Sequence, residues 1–246
     1  MATILSVANQ KGGVGKTTTA TTLANALGMA GRRVLVVDVD PQANATSGMG
    51  VDSVDRSPAF LPEAQDFLRR TPWDSVWCVP AGRDLEHLAT QRTLARGQLG
   101  ETLGRVAASF DVVLVDCPPS LGPLTQNALA ASHGVVIPIQ CEYYPLEGLV
   151  QLIGAIRRAR EQNPSLAVAG VLLTMYDDED GLSGEVEAEV RSKLDEPVFD
   201  AVIPRDPAVA EAPSHSQSVI TYAPRSRGAR AYVEFADEVA ARGILG

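Results

Sequence analysis

Cysteine, histidine and lysine each occur only three times in this chain of 246 residues, and aromatic side chains make up 5% of it. Cys78, Cys117 and Cys141 are widely separated, odd in number and without the paired spacing of a zinc site, a redox motif or a disulfide framework. They are expected to be reduced and buried. His87, His133 and His215 form no His-x-x-x-His grouping, which argues against a transition metal held by protein ligands. No stretch reaches the eighteen or so apolar residues that a membrane span requires. The apolar opening from Thr3 to Ala8 is too short for the core of a signal peptide, so a cytoplasmic protein is expected. Positive charge is also scarce. With 21 basic against 30 acidic residues the net charge is -9, and the chain as a whole repels phosphate backbones and anionic lipid. Contact with nucleic acid would have to come from a local patch.

What is there is ordinary globular composition, 45% hydrophobic and 21% charged, which excludes disorder and low-complexity classes. Short β-branched runs alternate with longer segments of helical period, the pattern of βαβ units. Strands are expected at Ile4 to Ala8, Arg33 to Asp38, Val112 to Asp116, Gly134 to Ile139, Val168 to Thr174 and Val198 to Ile203. Two of these, Val34 to Val37 and Val112 to Val115, are continuously apolar, as central strands covered on both faces should be. Helices are expected near Lys16 to Ala30, Gly97 to Ser109, Thr125 to Ala131, Pro145 to Arg160, Leu182 to Lys193 and Arg227 to Arg242. The expected fold class is α/β, a doubly wound and mostly parallel sheet flanked by helices. The stretch from Val51 to Pro80, with four prolines and no clean period, reads as a mobile insertion. No repeat or linker divides the chain, so residues 1–246 are taken as a single domain.

Two of the three lysines, Lys11 and Lys16, lie within six residues of each other. The first strand is followed by Asn9-Gln10-Lys11-Gly12-Gly13-Val14-Gly15-Lys16-Thr17-Thr18 and then by a helix. Strand, glycine-rich turn and helix N-terminus in this order form a phosphate cradle. Glycines bring bare N–H groups of Gly12, Gly13, Val14 and Gly15 against phosphate oxygens, and the helix dipole adds favourable potential. Lys16 would reach the β- and γ-phosphates, the Thr17 hydroxyl would ligate Mg²⁺, and Thr18 is counted with them among the nucleotide-binding residues. A plain glycine turn is the bland alternative, disfavoured by the flanking strand and helix.

Carboxylates stand where such a site needs them. The second strand ends in Val37-Asp38-Val39-Asp40-Pro41, and the Val112 strand ends in Asp116-Cys117-Pro118. In open α/β sheets ligands bind at this carboxyl edge. Asp116 fits a carboxylate holding Mg²⁺ directly or through water. A strand-end aspartate taken alone is as often a cap or turn residue.

Where the ordinary phosphate loop has its first glycine this chain has Gln10, followed by Lys11. The run K-G-G-V-G-K-T-T resembles the deviant Walker A loop of the ParA/MinD superfamily of P-loop ATPases. Further segments resemble the chromosomal ParA (Soj-type) partition ATPases: Gln42 to Gly50, Asp116 to Ser120, Pro138 to Gly148, Leu172 to Asp177, Val202 to Arg205, Glu211 to His215 and Tyr222 to Ala229. The resemblance implies a Mg²⁺- and ATP-dependent ATPase that forms a nucleotide-sandwich homodimer. It also implies that the dimer binds DNA without sequence preference and that a ParB-type partner stimulates hydrolysis. Lys11 would reach across to the partner's nucleotide, Asp40 would position the attacking water and touch the metal shell, and Asp38 would support that shell. Adenine would lie near Met175 and Pro204, Arg205 and Asp206. No DNA-reading extension is expected ahead of the loop, which only eight residues precede, and nucleoid association is expected when ATP is bound. DNA-binding candidates are Arg191, Lys193, Arg205, Arg225, Arg227 and Arg230, with Arg157, Arg158 and Arg160 as a second cluster. Residues 177–189 carry seven acids and no base, which lowers the expected affinity for a phosphate backbone.

Three rival readings fit parts of the sequence. A MinD-like membrane ATPase would need a basic amphipathic C-terminal helix, whereas Glu234, Asp237 and Glu238 there face Arg242 alone. An iron-protein reductase would need cluster cysteines. A nucleotide-binding scaffold with little turnover is the third: Lys16, Thr17, Asp40 and Asp116 are all present and give no reason for dead chemistry, and slow turnover is expected without a stimulator.

Overall fold

The computed structural model describes residues 2–90, 94–142 and 145–245. In chain order it contains β1 (Thr3–Val7), α1 (Lys16–Met29), β2 (Val34–Asp38), α2 (Asn44–Gly48), β3 (Arg69–Arg70) and β4 (Val76–Val79). Then come α3 (Leu85–Thr90), α4 (Gln98–Val106), β5 (Val112–Asp116), α5 (Pro123–Ala131), β6 (Gly134–Gln140) and α6 (Pro145–Arg160). The chain continues through β7 (Ala167–Tyr176), α7 (Gly181–Lys193), β8 (Val198–Pro204), α8 (Pro207–Glu211), α9 (Val219–Tyr222) and α10 (Arg227–Ala241). The strands form one sheet in the order β3-β4-β2-β5-β1-β6-β7-β8, parallel throughout except that β3 runs antiparallel to β4. The chain winds from β1 toward both edges, and this reversal places the end of β1 at a crevice between β5 and β6. Among the described residues no helix is long and apolar enough to cross a membrane.

Period-two alternation along the strands divides the core into two layers. On one face Leu35, Val37, Val113, Val115, Val135 and Ile137 pack under α4, α5 and α6 through Leu103, Leu124 and Leu152. On the other, Leu5, Val7, Val36, Val112 and Leu114 pack under α1 and α10 through Leu23, Leu27, Tyr232 and Phe235. The α10 stripe read from the sequence, Tyr232, Phe235, Ala236 and Val239, is buried. Phe199 of β8 meets Phe235 edge to face at 4.9 Å. All three cysteines are free and buried. The expected strands and helices are present with ends within about two residues, except that the helix expected over 97–109 ends at Val106 and finishes as a 3₁₀ turn, Ala107–Ser109.

The reading of residues 51–80 as a mobile insertion is corrected. β4 pairs in parallel with β2 from Val34↔Val76 to Val37↔Val79, and Phe60 and Trp73 are buried. The segment hid its order because β4 is four residues long and its other structure is 3₁₀ turns at Pro58–Phe60 and Ala64–Phe67, too short to show a period. Gly28, in the last turn of α1, lies so close to this segment that a Cβ would stand 2.3 Å from the Asp74 carbonyl oxygen and 2.8 Å from Val76. Gly28→Ala should therefore cost about 1–3 kcal/mol through overpacking and lower the thermal midpoint by roughly 2–10 °C. Gly104→Ala, with open space around it, should leave the midpoint unchanged or raise it slightly. A differential scanning measurement of both variants checks that 51–80 is built into the fold.

Candidate functional site

The loop between β1 and α1 is shaped by two glycines and pinned from outside by side chains of neighbouring strand ends. Gly13 and Gly15 have φ of 75° and 86°, the left-handed region that a side chain would strain. Gly15 caps α1 without a side-chain acceptor, and no acid lies in the first turn, so the dipole end of α1 faces the loop uncompensated. Asn9 donates from Nδ2 to the Pro138 carbonyl of β6 at 2.7 Å and accepts from the Lys11 N–H at 3.1 Å. The Thr174 hydroxyl of β7 lies 3.0 Å from the Val14 carbonyl and 3.1 Å from that of Ile139, fastening the loop to β6 and β7. Lys16 Nζ donates to the Lys11 carbonyl at 2.9 Å and is buried. Burial lowers the pKa of this ammonium, and the nearby Asp116 and Asp40 oppose the shift.

Register then supplies the carboxylates. Asp116 pairs laterally with both Val7 and Asp38, so the ends of β1, β2 and β5 meet beside Thr17. The Thr17 hydroxyl donates to Asp116 Oδ2 at 2.7 Å, while Oδ1, fully buried, has no partner among the described residues. Burial, reinforced by Asp38, pushes the Asp116 carboxyl well above its usual range. Asp38 is also driven up, to about 6, chiefly by burial. Its Oδ1 accepts from the Asp40 N–H at 3.0 Å and its Oδ2 from the N–H and hydroxyl of Thr46 at 2.8 and 2.7 Å. Asp38 thus organises the turn that carries Asp40. Asp40 is 5% exposed and accepts from the Gln42 N–H at 3.0 Å. Ala43, in the same turn, and Met175, near the end of β7, are non-glycine residues with φ of 54°, backbone strain of a kind that gathers at functional sites.

These residues fit a magnesium nucleotide. A buried carboxylate oxygen without a hydrogen-bond partner next to a hydroxyl is a hard-oxygen donor set, and a desolvated ammonium at a helix N-terminus is matched to phosphate. The structure brings together Lys16, Thr17, Asp38, Asp40 and Asp116, the constellation expected from the sequence, with Thr18 in the first turn of α1. It leaves Lys11 apart, its side chain 46% exposed and 3.8 Å from Glu142. Arg205 also reaches Glu142, at 3.2 Å. Asp206 has both oxygens engaged, Oδ1 by the Ala208 N–H as the cap of α8 and Oδ2 by the Gly228 N–H at the start of α10. Asn9, Thr46, Thr174 and Glu142 were not singled out from the sequence, because their roles rest on long-range pairs that spacing does not reveal. Tyr143 and Tyr144, within the Pro138 to Gly148 segment, lie outside the described residues.

A glycine loop leading into a helix, a buried lysine, a threonine hydroxyl and a strand-end carboxylate beside it define a P-loop nucleotide site on a doubly wound sheet. Residues 2–168 match a family described as an AAA domain. The chain is 44% identical to the sporulation initiation inhibitor protein Soj of Bacillus subtilis, over 99% of this chain and 100% of that one. It is 46% identical to the chromosome-partitioning ATPase Soj of Thermus thermophilus, over 97% and 95%. Among solved structures it resembles a Mycobacterium smegmatis protein named cobyrinic acid a,c-diamide synthase, with bound ADP and magnesium. That likeness has a TM-score of 0.85 and 36% identity, over 99% of this chain and 96% of the other. The chain belongs to the ParA/Soj family of chromosome-partitioning P-loop ATPases.

Thr174→Val keeps the methyl that lies 3.9 Å from where a Cβ on Gly15 would stand and removes only the hydroxyl that fastens the loop. Loss of one such hydrogen bond, about 1 kcal/mol, should weaken binding of a fluorescent ATP analogue by roughly five-fold while the far-ultraviolet circular dichroism stays unchanged. Fluorescence titration of the two proteins side by side measures it.

Proposed function

We propose that this chain is a Mg²⁺-dependent partition ATPase whose ATP-bound form is a sandwich homodimer that holds DNA without sequence preference, with hydrolysis stimulated by a ParB-type partner. The observation that carries the reading is the division of labour between the two loop lysines. Lys16 is buried over its own site, whereas Lys11, anchored at its backbone by Lys16 and Asn9, sends its ammonium outward. Lys16 and the N–H groups of residues 12–18 bind the triphosphate, and Thr17 and Asp116 hold the cation. The cation that Thr17 and Asp116 would hold, Mg²⁺, would supply positive charge to offset that of the phosphate oxygens. Asp40, set in place by Asp38, orients the attacking water. Lys11 supplies a second positive charge to the partner's nucleotide, which couples ATP binding to association. Met175 and Pro204 to Asp206 line the side on which adenine sits.

The ion pairs narrow the DNA-binding surface. Arg191 is paired with Glu187, Lys193 with Glu189, Arg205 with Glu142 and Arg227 with Asp178, at 2.7 to 3.2 Å. Arg160 donates to the Leu166 carbonyl. Of the candidates, Arg225, Arg230, Arg157 and Arg158 make no ion pair among the described residues and are free to meet phosphate. One such patch per subunit is weak, and dimerisation supplies avidity. The α10 stripe is buried against β8 and α1, which disfavours the MinD-like reading that this helix lies in a membrane surface. On this reading the protein works in the cytoplasm, on the nucleoid when ATP is bound.

In an ATP turnover assay the protein alone should be nearly silent, DNA and a ParB-type partner should stimulate it together, and Asp40→Ala should lose the stimulated rate. Unchanged turnover in Asp40→Ala removes that carboxylate from the mechanism. DNA retention should require ATP and fall with salt, and Arg225→Ala with Arg230→Ala, which removes two cations from each subunit of the dimer, should reduce the logarithmic salt slope by about 4. Retention indifferent to both nucleotide and salt counts against the DNA-binding reading.

A further inference from the structure

Where the ends of β6 and β8 meet the phosphate loop, one carboxylate serves several donors. Gln140 Nε2 donates to Glu142 Oε1 at 2.6 Å, Arg205 Nη2 donates to the same oxygen at 3.2 Å, and Lys11 Nζ lies 3.8 Å from Oε2. The backbone beneath is fixed: the Cys141 N–H donates to the Thr174 carbonyl at 3.0 Å and the Glu142 N–H to that of Gln140 at 2.9 Å. Thr174 is also the residue that pins Val14 of the loop. The position of this carboxylate is therefore tied to that of the loop. The Lys11 backbone is likewise held, so only its four-carbon side chain is free to swing.

We propose that Glu142 is the resting anchor of Lys11, a positioning residue that holds the ammonium over its own subunit until a second copy presents a triphosphate. The inference rests on the dimer reading above and adds the residue that sets how readily the dimer forms. The charge count favours reversibility. Two cations share one carboxylate, so when Lys11 leaves, Glu142 keeps Arg205 and Gln140 as partners and is not stranded. Because Lys11 and Glu142 are both nearly half exposed, at 46% and 45%, the contact is weak enough to be broken by phosphate. Each subunit surrenders one such contact on pairing, so the effect enters the dimer equilibrium twice.

The scarcity of lysine makes the contact directly observable. Protein labelled at lysine Cε gives three signals, from Lys11, Lys16 and Lys193. Glu142→Gln should shift the Lys11 signal in the nucleotide-free protein and leave that of Lys193 in place. With magnesium and a non-hydrolysable ATP analogue, sedimentation should show the Glu142→Gln dimer tighter than wild type by roughly 3- to 25-fold. Glu142→Asp, which keeps the charge, should stay near wild type, and thermal midpoints should agree within a degree or so, as for any exposed pair. If wild type dimerises and Lys11→Ala does not, yet Glu142→Gln dimerises equally or less well, the anchor is wrong and the dimer reading stands. If wild type stays monomeric with the analogue at every concentration, both fall together.

Discussion

A lysine ammonium removed from water beside two aspartates sets the terms for the rest of the molecule. Lys16 is held by one backbone carbonyl, and its charge is opposed by desolvation and supported by Asp116 and Asp40. Those carboxylates are themselves short of donors, since Asp116 has one oxygen hydrogen-bonded to Thr17 and the other to nothing among the described residues. Buried groups of both signs without full partners are costly for a fold to keep. They persist because the surrounding sheet over-determines their positions: β1, β2 and β5 are paired residue by residue up to Asp116 and Asp38. A triphosphate with its cation would satisfy both sets at once, with oxygens for the lysine and a divalent charge for the carboxylates.

Much of this was legible in advance because it is written in short-range chemistry. Phosphate loops need glycine where φ is positive, and Gly13 and Gly15 are there. Central strands need continuous apolar runs, and Val112 to Val115 supplies one that ends in its aspartate. What could not be read were the tertiary pins. Thr174 looks like any β-branched strand residue until its hydroxyl is found against a carbonyl 160 positions away in sequence. Asn9 and Glu142 are similar cases, and β4 escaped notice because four residues between prolines carry too little pattern. Asp206 has a structural role that the sequence did not show. It is expected near adenine from family likeness, and both its oxygens also hold the starts of α8 and α10.

Charge in this protein is arranged more by pairing than by sign. A net of -9 coexists with a loop suited to phosphate, because a buried lysine and a helix dipole would act there at short range, where the total matters little. The acids of residues 177–189 contribute to the same arrangement: Asp178, Glu187 and Glu189 neutralise Arg227, Arg191 and Lys193. Which arginines remain unpaired therefore says more about a polyanion surface than the number of arginines does.

The short strand β3 bears on how copies of the chain avoid each other. It runs against its neighbours at one margin of the sheet, and both its side chains, Arg69 and Arg70, are exposed. A two-residue strand bearing like charges is a poor template for another backbone, since an incoming ribbon would find few free groups and two repelling cations. Growth of the sheet sideways into fibrils is thereby discouraged at that margin, and crowding many copies onto one surface carries less risk of irreversible aggregation.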